Sequence, residues 1–300
     1  MSDPDAATTT DFHAPGFNPL QHPLALSELR YFTGESAWSG HLPFGMALVQ
    51  MLRPRTIVEL GTHWGDSYCA FCQAVAELKL PARCAAVDTW QGDAHTRSYG
   101  EYVYQTLKGF HDPAYGSFSR LLRMTFDQAR SDFPDNSIDL LHIDGLHTYE
   151  AVRHDFDNWK PTLSERGVEL FHDTMVKRAD FGVWRLWQEL EGAYPSFQFY
   201  HESGLGVLAV GKEPPAEFAA FLEGARREPA LVRAFFAAVG GRCTMMASLM
   251  RTVTSLQAAR QAVNEWRARS GRPVKPVNPE PYKLAYQTLE DVKELLMLVT

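Results

Sequence analysis

Four cysteines in 300 residues are too few for a disulfide framework. Two of them, Cys69 and Cys72, form a CxxC, but the pair lies inside a helical pattern, and no second cysteine or histidine pair has zinc-ligand spacing. It reads as two small apolar side chains packed one turn apart, not as a redox or zinc site. Basic charge is also scarce: 29 Lys and Arg stand against 36 Asp and Glu, for a net charge of −7 with no basic stripe. A partner with a phosphate backbone is therefore disfavoured, and nucleic acid is excluded as the expected substrate. No unbroken run approaches the roughly 18 to 20 apolar residues that span a bilayer. The first residues, MSDPDAATTTDFHAPGF, have neither the basic nor the apolar part of a signal peptide. The expectation is a cytoplasmic chain with no membrane span.

The chain is 45% hydrophobic, enough for one large core with a smaller annex. Residues 1–24 show no periodicity and read as a flexible arm. Over 25–211, β-rich runs alternate with helical ones. The runs are TIVEL (56–60), CAAV (84–87), a weak strand over 119–124, IDLLHI (138–143) and VELFH (168–172), with helices over 67–78, 126–133, 149–159 and from 181 onward. Such alternation predicts parallel pairing in a doubly wound, Rossmann-like α/β sheet. Two last β-rich runs, 197–201 and 206–210, are separated only by ESGL. So short a connection forces an antiparallel hairpin, because a parallel crossover needs a dozen residues or more. Residues 212–300 are rich in helix formers and read as an all-helical extension. It comprises helices over 214–226, 229–239 and 243–270, the proline-rich connector GRPVKPVNPEPY (271–282) and a last amphipathic helix over 283–299. Met246, Leu249, Val253 and Leu256 follow heptad spacing for two heptads before Arg260 and Arg267 interrupt it. The stripe suits either packing on the main domain or self-association into a homo-oligomer, and the spacing does not separate these.

Also missing is GxGxxG. The turn after the first strand, VELGTHWGDSY, carries GxxxG through Gly61 and Gly65, which argues against a pyrophosphate loop and hence against a nicotinamide oxidoreductase. Glycines at this crevice let backbone approach a ligand. Glu59, inside the apolar run, must face a helix N-terminus or a cation, since an unpaired buried carboxylate is costly. The second strand ends in Asp88, where an acid accepts hydrogen bonds from ribose hydroxyls. Trp90 either stacks on an adenine or covers the sheet edge. Nucleoside binding without a pyrophosphate loop points to S-adenosylmethionine.

The segments TIVELGTHWGDSY, AAVDTWQGD, IDLLHIDGLHTYEAV, VELFHDT and FGVWRLWQEL together resemble the class I S-adenosylmethionine-dependent methyltransferases. The resemblance is greatest to the bacterial branch grouped with sugar and macrolide O-methyltransferases. It spans roughly residues 40–211 and implies a seven-stranded sheet with its last strand antiparallel. It implies that Glu59, Gly61 and Gly65 cradle the methionine part of the cofactor, with Thr62 and Ser67 in the same turn. Asp88 would hold the ribose, and Thr125 and Phe126 would lie by the adenine. The tail from residue 212 has no counterpart in it.

Asp144 and Asp173 end the fourth and fifth strands, which as neighbours bring the two carboxylates about 5 Å apart. They would repel unless one is protonated or a cation lies between them. The resemblance implies a divalent metal here, Mg2+ or Mn2+, held by Asp144 and Asp173, with His172 where some relatives carry a second acid; histidine also admits softer ions. His147, just past the Gly145 turn, has two readings: a general base suited to neutral pH, or a cap on the helix that follows. His142 reads as a hydrogen-bonded core residue, and His63 is placed to touch cofactor or acceptor. The activity implied is O-methylation of a hydroxyl on a sugar or on a glycosylated, polysaccharide-related acceptor, the partner being a small molecule or glycan. An N-methyltransferase would share every cofactor feature, and a non-catalytic scaffold is the alternative from another class.

Overall fold

In the computed structural model, which describes residues 17–96 and 98–271, the β-rich runs form one seven-stranded sheet. Its strands are Thr56–Leu60 (β1), Arg83–Asp88 (β2), Ser119–Arg123 (β3), Ile138–Ile143 (β4), Leu163–His172 (β5), Ser196–Phe199 (β6) and Leu205–Ala209 (β7). The order is β3-β2-β1-β4-β5-β7-β6, with β1 to β5 parallel and β7 antiparallel to both β5 and β6. Chain direction across the sheet reverses between β1 and β4, so the carboxyl ends of those strands border an open crevice.

One face of the sheet is covered by Leu42–Leu52 (α1), Asp66–Glu77 (α2) and Tyr102–Tyr115 (α3). The other is covered by Phe126–Arg130 (α4), Tyr149–Trp159 (α5) and Val183–Leu190 (α6). Helix α5 forms where the pattern predicts: Thr148 accepts a hydrogen bond from the Ala151 amide as N-cap, and Val152, Phe156 and Trp159 are buried on one face. Helices α1 and α3 are absent from the pattern reading for opposite reasons. Ten of the eleven residues of α1 are buried, which leaves no amphipathic signal, while α3 contains Pro113.

The tail differs from expectation. Ala216–Arg227 (α7) is followed by one continuous 41-residue helix, Pro229–Arg269 (α8), where two helices divided at Gly240–Gly241 were expected. Gly240 does not break the helix; it permits contact. A Cβ there would lie 2.0 Å from the carbonyl oxygen of Gly40, so the missing side chain lets α8 press against backbone. Along the same face Val232, Phe236, Cys243 and Ala247 are buried, and Phe236 joins Phe44, Phe199 and Phe221 in a cluster shared with the α/β sheet. Met246 and Leu249 of the heptad stripe are 52% and 57% exposed, so that face does not pack on the domain.

Averaged over 18 residues α8 reaches a mean hydropathy of 1.3, and it is the one helix among the described residues long and apolar enough to cross a membrane by length and composition. A search for an unbroken apolar run passes over it because arginines and threonines interrupt the sequence.

Residues 17–24, expected to close a flexible arm, are packed: the Phe17 amide donates to Glu228 Oε2 at 2.9 Å and its ring lies 5.5 Å from that of Phe235. Residues 1–16, most of the proline-rich connector and the last predicted helix lie outside the described residues.

Glu169 occupies the centre of β5 between Leu141 and Leu208, fully buried, and neither carboxyl oxygen has a hydrogen-bond partner among the described residues. Burial holds its carboxyl well above the usual value of 4.5, so the folded state keeps the proton that the unfolded chain releases. The folded state binds more protons between those two values, and stability falls as pH rises through that window, by at most about 1.4 kcal/mol per pH unit. Glu169→Gln removes this term. The variant is expected to gain melting temperature over the wild type more at pH 8 than at pH 5. An equal difference at both pH values in thermal unfolding would contradict the assignment.

Candidate active site

Backbone strain gathers at the carboxyl ends of the strands. Gly61, His63 and Gly65 after β1, Trp90 and Gly92 after β2, and Asp173 after β5 all have positive φ, between 50° and 89°. Gly61 is required there: its φ is 89° and a Cβ would lie 2.1 Å from the Asp144 carbonyl oxygen. The β1 turn thus crosses directly over the end of β4, with the Asp144 amide donating to the Leu60 carbonyl at 2.8 Å.

A cavity of about 260 Å³ opens over the ends of β1, β2 and β4. Of the residues predicted for the cofactor, Gly61, Asp88, Thr125 and Phe126 line it, as does the strand-end acid Asp144. Both Asp88 oxygens accept backbone amides, from His63 at 2.8 Å and Trp90 at 2.7 Å, which pins the two turns to one carboxylate. Thr125 caps α4 through a reciprocal capping box with Gln128, which sets Phe126 at the cavity edge.

Glu59, Thr62, Gly65, Ser67 and Trp90 are not on the cavity wall. Glu59 is buried beneath the turn and faces an imidazole, His142 Nδ1, at 2.8 Å. Burial raises its carboxyl, and His142 and Ser67 offset part of that. Trp90 is buried in the core beneath the cavity, donates through Nε1 to the His63 carbonyl and packs on Tyr104, and it is not on the cavity wall. Besides Phe126, the wall carries the ring of Tyr99, from the irregular segment after β2, where no periodicity marks it. Three larger clefts, of about 530, 570 and 290 Å³, lie elsewhere and contain none of the strand-end acids.

Beside the cavity the ends of β4 and β5 bring four groups together. His147 Nε2 lies 2.8 Å from Asp173 Oδ2 and 3.3 Å from Asp144 Oδ1, and His172 Nδ1 lies 3.4 Å from each of those oxygens. Asp144, His147 and Asp173 offer one ligand atom each within 4.8 Å of one another. His172, expected as the third ligand, falls outside this group: its ring lies in the interior against Trp38 and His41, behind the carboxylates, whereas His147 reaches over them from the α5 side. Two carboxylate oxygens and one imidazole nitrogen suit Mg2+ or Mn2+ and equally Fe2+ or Zn2+.

His147 is not the helix cap, which is Thr148. Nor is it poised as a neutral base. Burial pulls its imidazole down, but the hydrogen bonds and charges of Asp144 and Asp173 outweigh this and hold it at about 9. His172, fully buried, is likewise lifted to about 10 by Asp144 and Asp173 against desolvation. In turn, both carboxyls stay well below the usual range despite burial, Asp144 chiefly through His172 and Asp173 through its bonds to His147 and His172. Without another cation, the site thus holds its own positive charge on imidazolium. His63 differs: it lines the cavity, and burial keeps its imidazole below 6.5, hence neutral at pH 7.

Residues 58–174 match the family model of a methyltransferase domain. The seven-stranded sheet that surrounds this segment has the arrangement that the resemblance to class I S-adenosylmethionine-dependent methyltransferases implies. The uncharacterized protein y4gI of Sinorhizobium fredii is 54% identical over 190 residues, which cover 63% of this chain and 21% of that protein; the chain thus spans about a fifth of the curated relative it matches. Among solved structures, cofactor-bound Rv0187 from MTB aligns at 15% identity and a TM-score of 0.45, covering 64% of this chain and 87% of that one. The O-methyltransferase TomG from Streptomyces achromogenes, in complex with SAM, aligns at 14% identity and a TM-score of 0.44, covering 65% and 92%.

Proposed function

We propose that the protein transfers a methyl group from S-adenosylmethionine to a hydroxyl of a small-molecule or glycan acceptor, assisted by a divalent cation. The observation that carries this reading is the Asp144, His147 and Asp173 cluster beside the crevice cavity, because an amine needs no such cluster to become nucleophilic, whereas an aliphatic hydroxyl does. The cavity suits the cofactor: Asp88 retains lone pairs for ribose hydroxyls, Phe126 and Tyr99 supply apolar walls, and Asp144 offers negative charge to a sulfonium. The buried Thr62 hydroxyl, between cavity-lining Gly61 and His63, has no hydrogen-bond partner among the described residues and is available to the methionine part. Glu59, Gly65 and Ser67 support that turn from beneath.

When bound, the sulfonium supplies an electrophilic methyl group, and a cation held by Asp144, His147 and Asp173 lowers the pKa of an acceptor hydroxyl. Methyl transfer to the acceptor oxygen would leave the carbon–sulfur electron pair on sulfur. His63, which is neutral at pH 7 and stands on the cavity wall, would take the hydroxyl proton, a role His147 does not fit because its Nε2 is protonated without a cation and is a ligand with one. The exposed Met246 and Leu249 on α8 support self-association through the helical tail.

Calorimetric titration with S-adenosylhomocysteine tests the cofactor half of the reading. The wild type is expected to bind and Asp88→Ala to bind roughly tenfold or more weakly, equivalent to at least about 1.4 kcal/mol. No heat at millimolar ligand would remove the methyltransferase reading, and equal affinity would remove the ribose role. A second test follows from His63, whose position at φ 50° makes asparagine the least strained replacement. His63→Asn is expected to lower kcat while leaving S-adenosylhomocysteine affinity near the wild-type value, and to abolish the loss of rate that protonation causes below pH 6.5.

A further inference from the structure

A second histidine stands against the cluster on the side away from the carboxylates. His95 Nδ1 lies 3.3 Å from His147 Nδ1, and His95 Nε2 lies 2.9 Å from Asp180 Oδ1. The ring centroids of His95 and His147 are 5.4 Å apart with planes 22° from parallel, so the two imidazoles lie edge to edge. Both rest on one ring, that of Phe181, at centroid distances of 4.4 and 4.9 Å and angles of 11° and 12°. Phe181 is held in place in turn, since its segment bridges to Thr148 and the Gly182 amide donates to the His147 carbonyl at 2.7 Å. The His95 side chain is largely buried, while Asp180 is 63% exposed.

The direction of the bonds along this chain follows from donor and acceptor chemistry. Ionised Asp180 only accepts, so His95 Nε2 carries the hydrogen. A neutral His95 then presents a lone pair at Nδ1, and His147 must donate to it from its own Nδ1. We propose that His95, fixed by Asp180 and seated on Phe181, is a positioning residue that keeps a hydrogen on His147 Nδ1, so that Nε2 is the atom left to meet a cation beside Asp144 and Asp173. A lone pair aimed at two carboxylates is stable only with a cation between them, so this pair prepares the site for a divalent ion, as outer partners of metal-bound histidines do. The consequence for metal rests on the proposed function; the placement of the hydrogen itself does not.

The experiment has two readouts on the full chain. Histidine-15N-labelled protein is examined at pH 7 for scalar coupling between the two Nδ1 atoms across the hydrogen they share, with His147→Gln used to assign the signal. The wild type is expected to show that hydrogen bonded to His147 Nδ1 and coupled to His95 Nδ1, and His95→Leu to lose the coupling. Free Mn2+ is then followed by electron paramagnetic resonance. His95→Leu is expected to weaken Mn2+ binding by roughly 10- to 100-fold. His95→Asn, whose amide oxygen replaces Nδ1 as acceptor, restores most of the affinity, and the surface change Asp180→Asn shifts it in the same direction as His95→Leu. A wild type whose shared hydrogen is bonded to His95 Nδ1 overturns the proposal, as does equal Mn2+ affinity in wild type and His95→Leu. A wild type with the hydrogen on His147 Nδ1 that binds no Mn2+ supports the role of His95 and sinks the cation reading alone.

Discussion

Replacing Asp144 by alanine is expected to lower methyl transfer by at least about a hundredfold and to abolish tight binding of a divalent ion. Its Oδ1 stands between two imidazoles, 3.3 Å from His147 and 3.4 Å from His172, and its side chain is only 21% exposed. Removing it leaves one carboxylate, Asp173, to balance two histidines that burial alone would strip of their protons. The cluster then has neither the charge to hold a cation nor the geometry to orient an acceptor. Asp144→Asn keeps the shape and removes only the charge, and it is expected to lose turnover nearly as fully. Affinity for S-adenosylhomocysteine should fall much less in Asp144→Asn than turnover does, which separates a local chemical role from general unfolding. Wild-type turnover in either variant, or full activity of the wild type in excess chelator, would sink the cluster as the transfer site.

The second large effect is structural. Gly61→Ala should destabilise the fold by at least about 3 kcal/mol and remove cofactor binding, measured by urea unfolding and by titration. Two costs combine at this one position. The backbone has φ 89°, which an L side chain adopts only with strain, and the added Cβ would overlap the Asp144 carbonyl at 2.1 Å. The overlap cannot be relieved by a flexible side chain, because the obstacle is the backbone that carries Asp144. Relief requires β1 and β4 to part at the point where both build the crevice. An alanine variant with wild-type stability and affinity would show that the two turns do not depend on this close approach.

The hydrophobic run TIVEL, the strand IDLLHI and the helix Tyr149–Trp159 were legible because each states its own pattern: a short apolar run between turns, or apolar residues every third and fourth position. The strand-end acids Asp88, Asp144 and Asp173 were legible for the same reason, as charges that interrupt apolar strands. The α8 contact at Gly240 was not, since a glycine that breaks a helix and a glycine that admits a neighbouring carbonyl look alike in one dimension. His172 stands outside the Asp144, His147 and Asp173 group because adjacency to Asp173 in sequence says nothing about which side of the carboxylate a ring occupies.

By itself, then, the chain's periodicity determined the sheet, its antiparallel end and the crevice where acids and glycines meet. Those signals are local, and each strand or turn carries its own. Only the tertiary structure decided which histidine stands over the carboxylates, that Trp90 lies under the site while Tyr99 lines it, and that His95 reaches both His147 and Asp180. Those partners are separated by 52 and 85 residues along the chain, and nothing in either segment's own pattern records the other. Their meeting is set by how the loops after β2 and β5 close over the end of β4, and that depends on the packing of the whole domain.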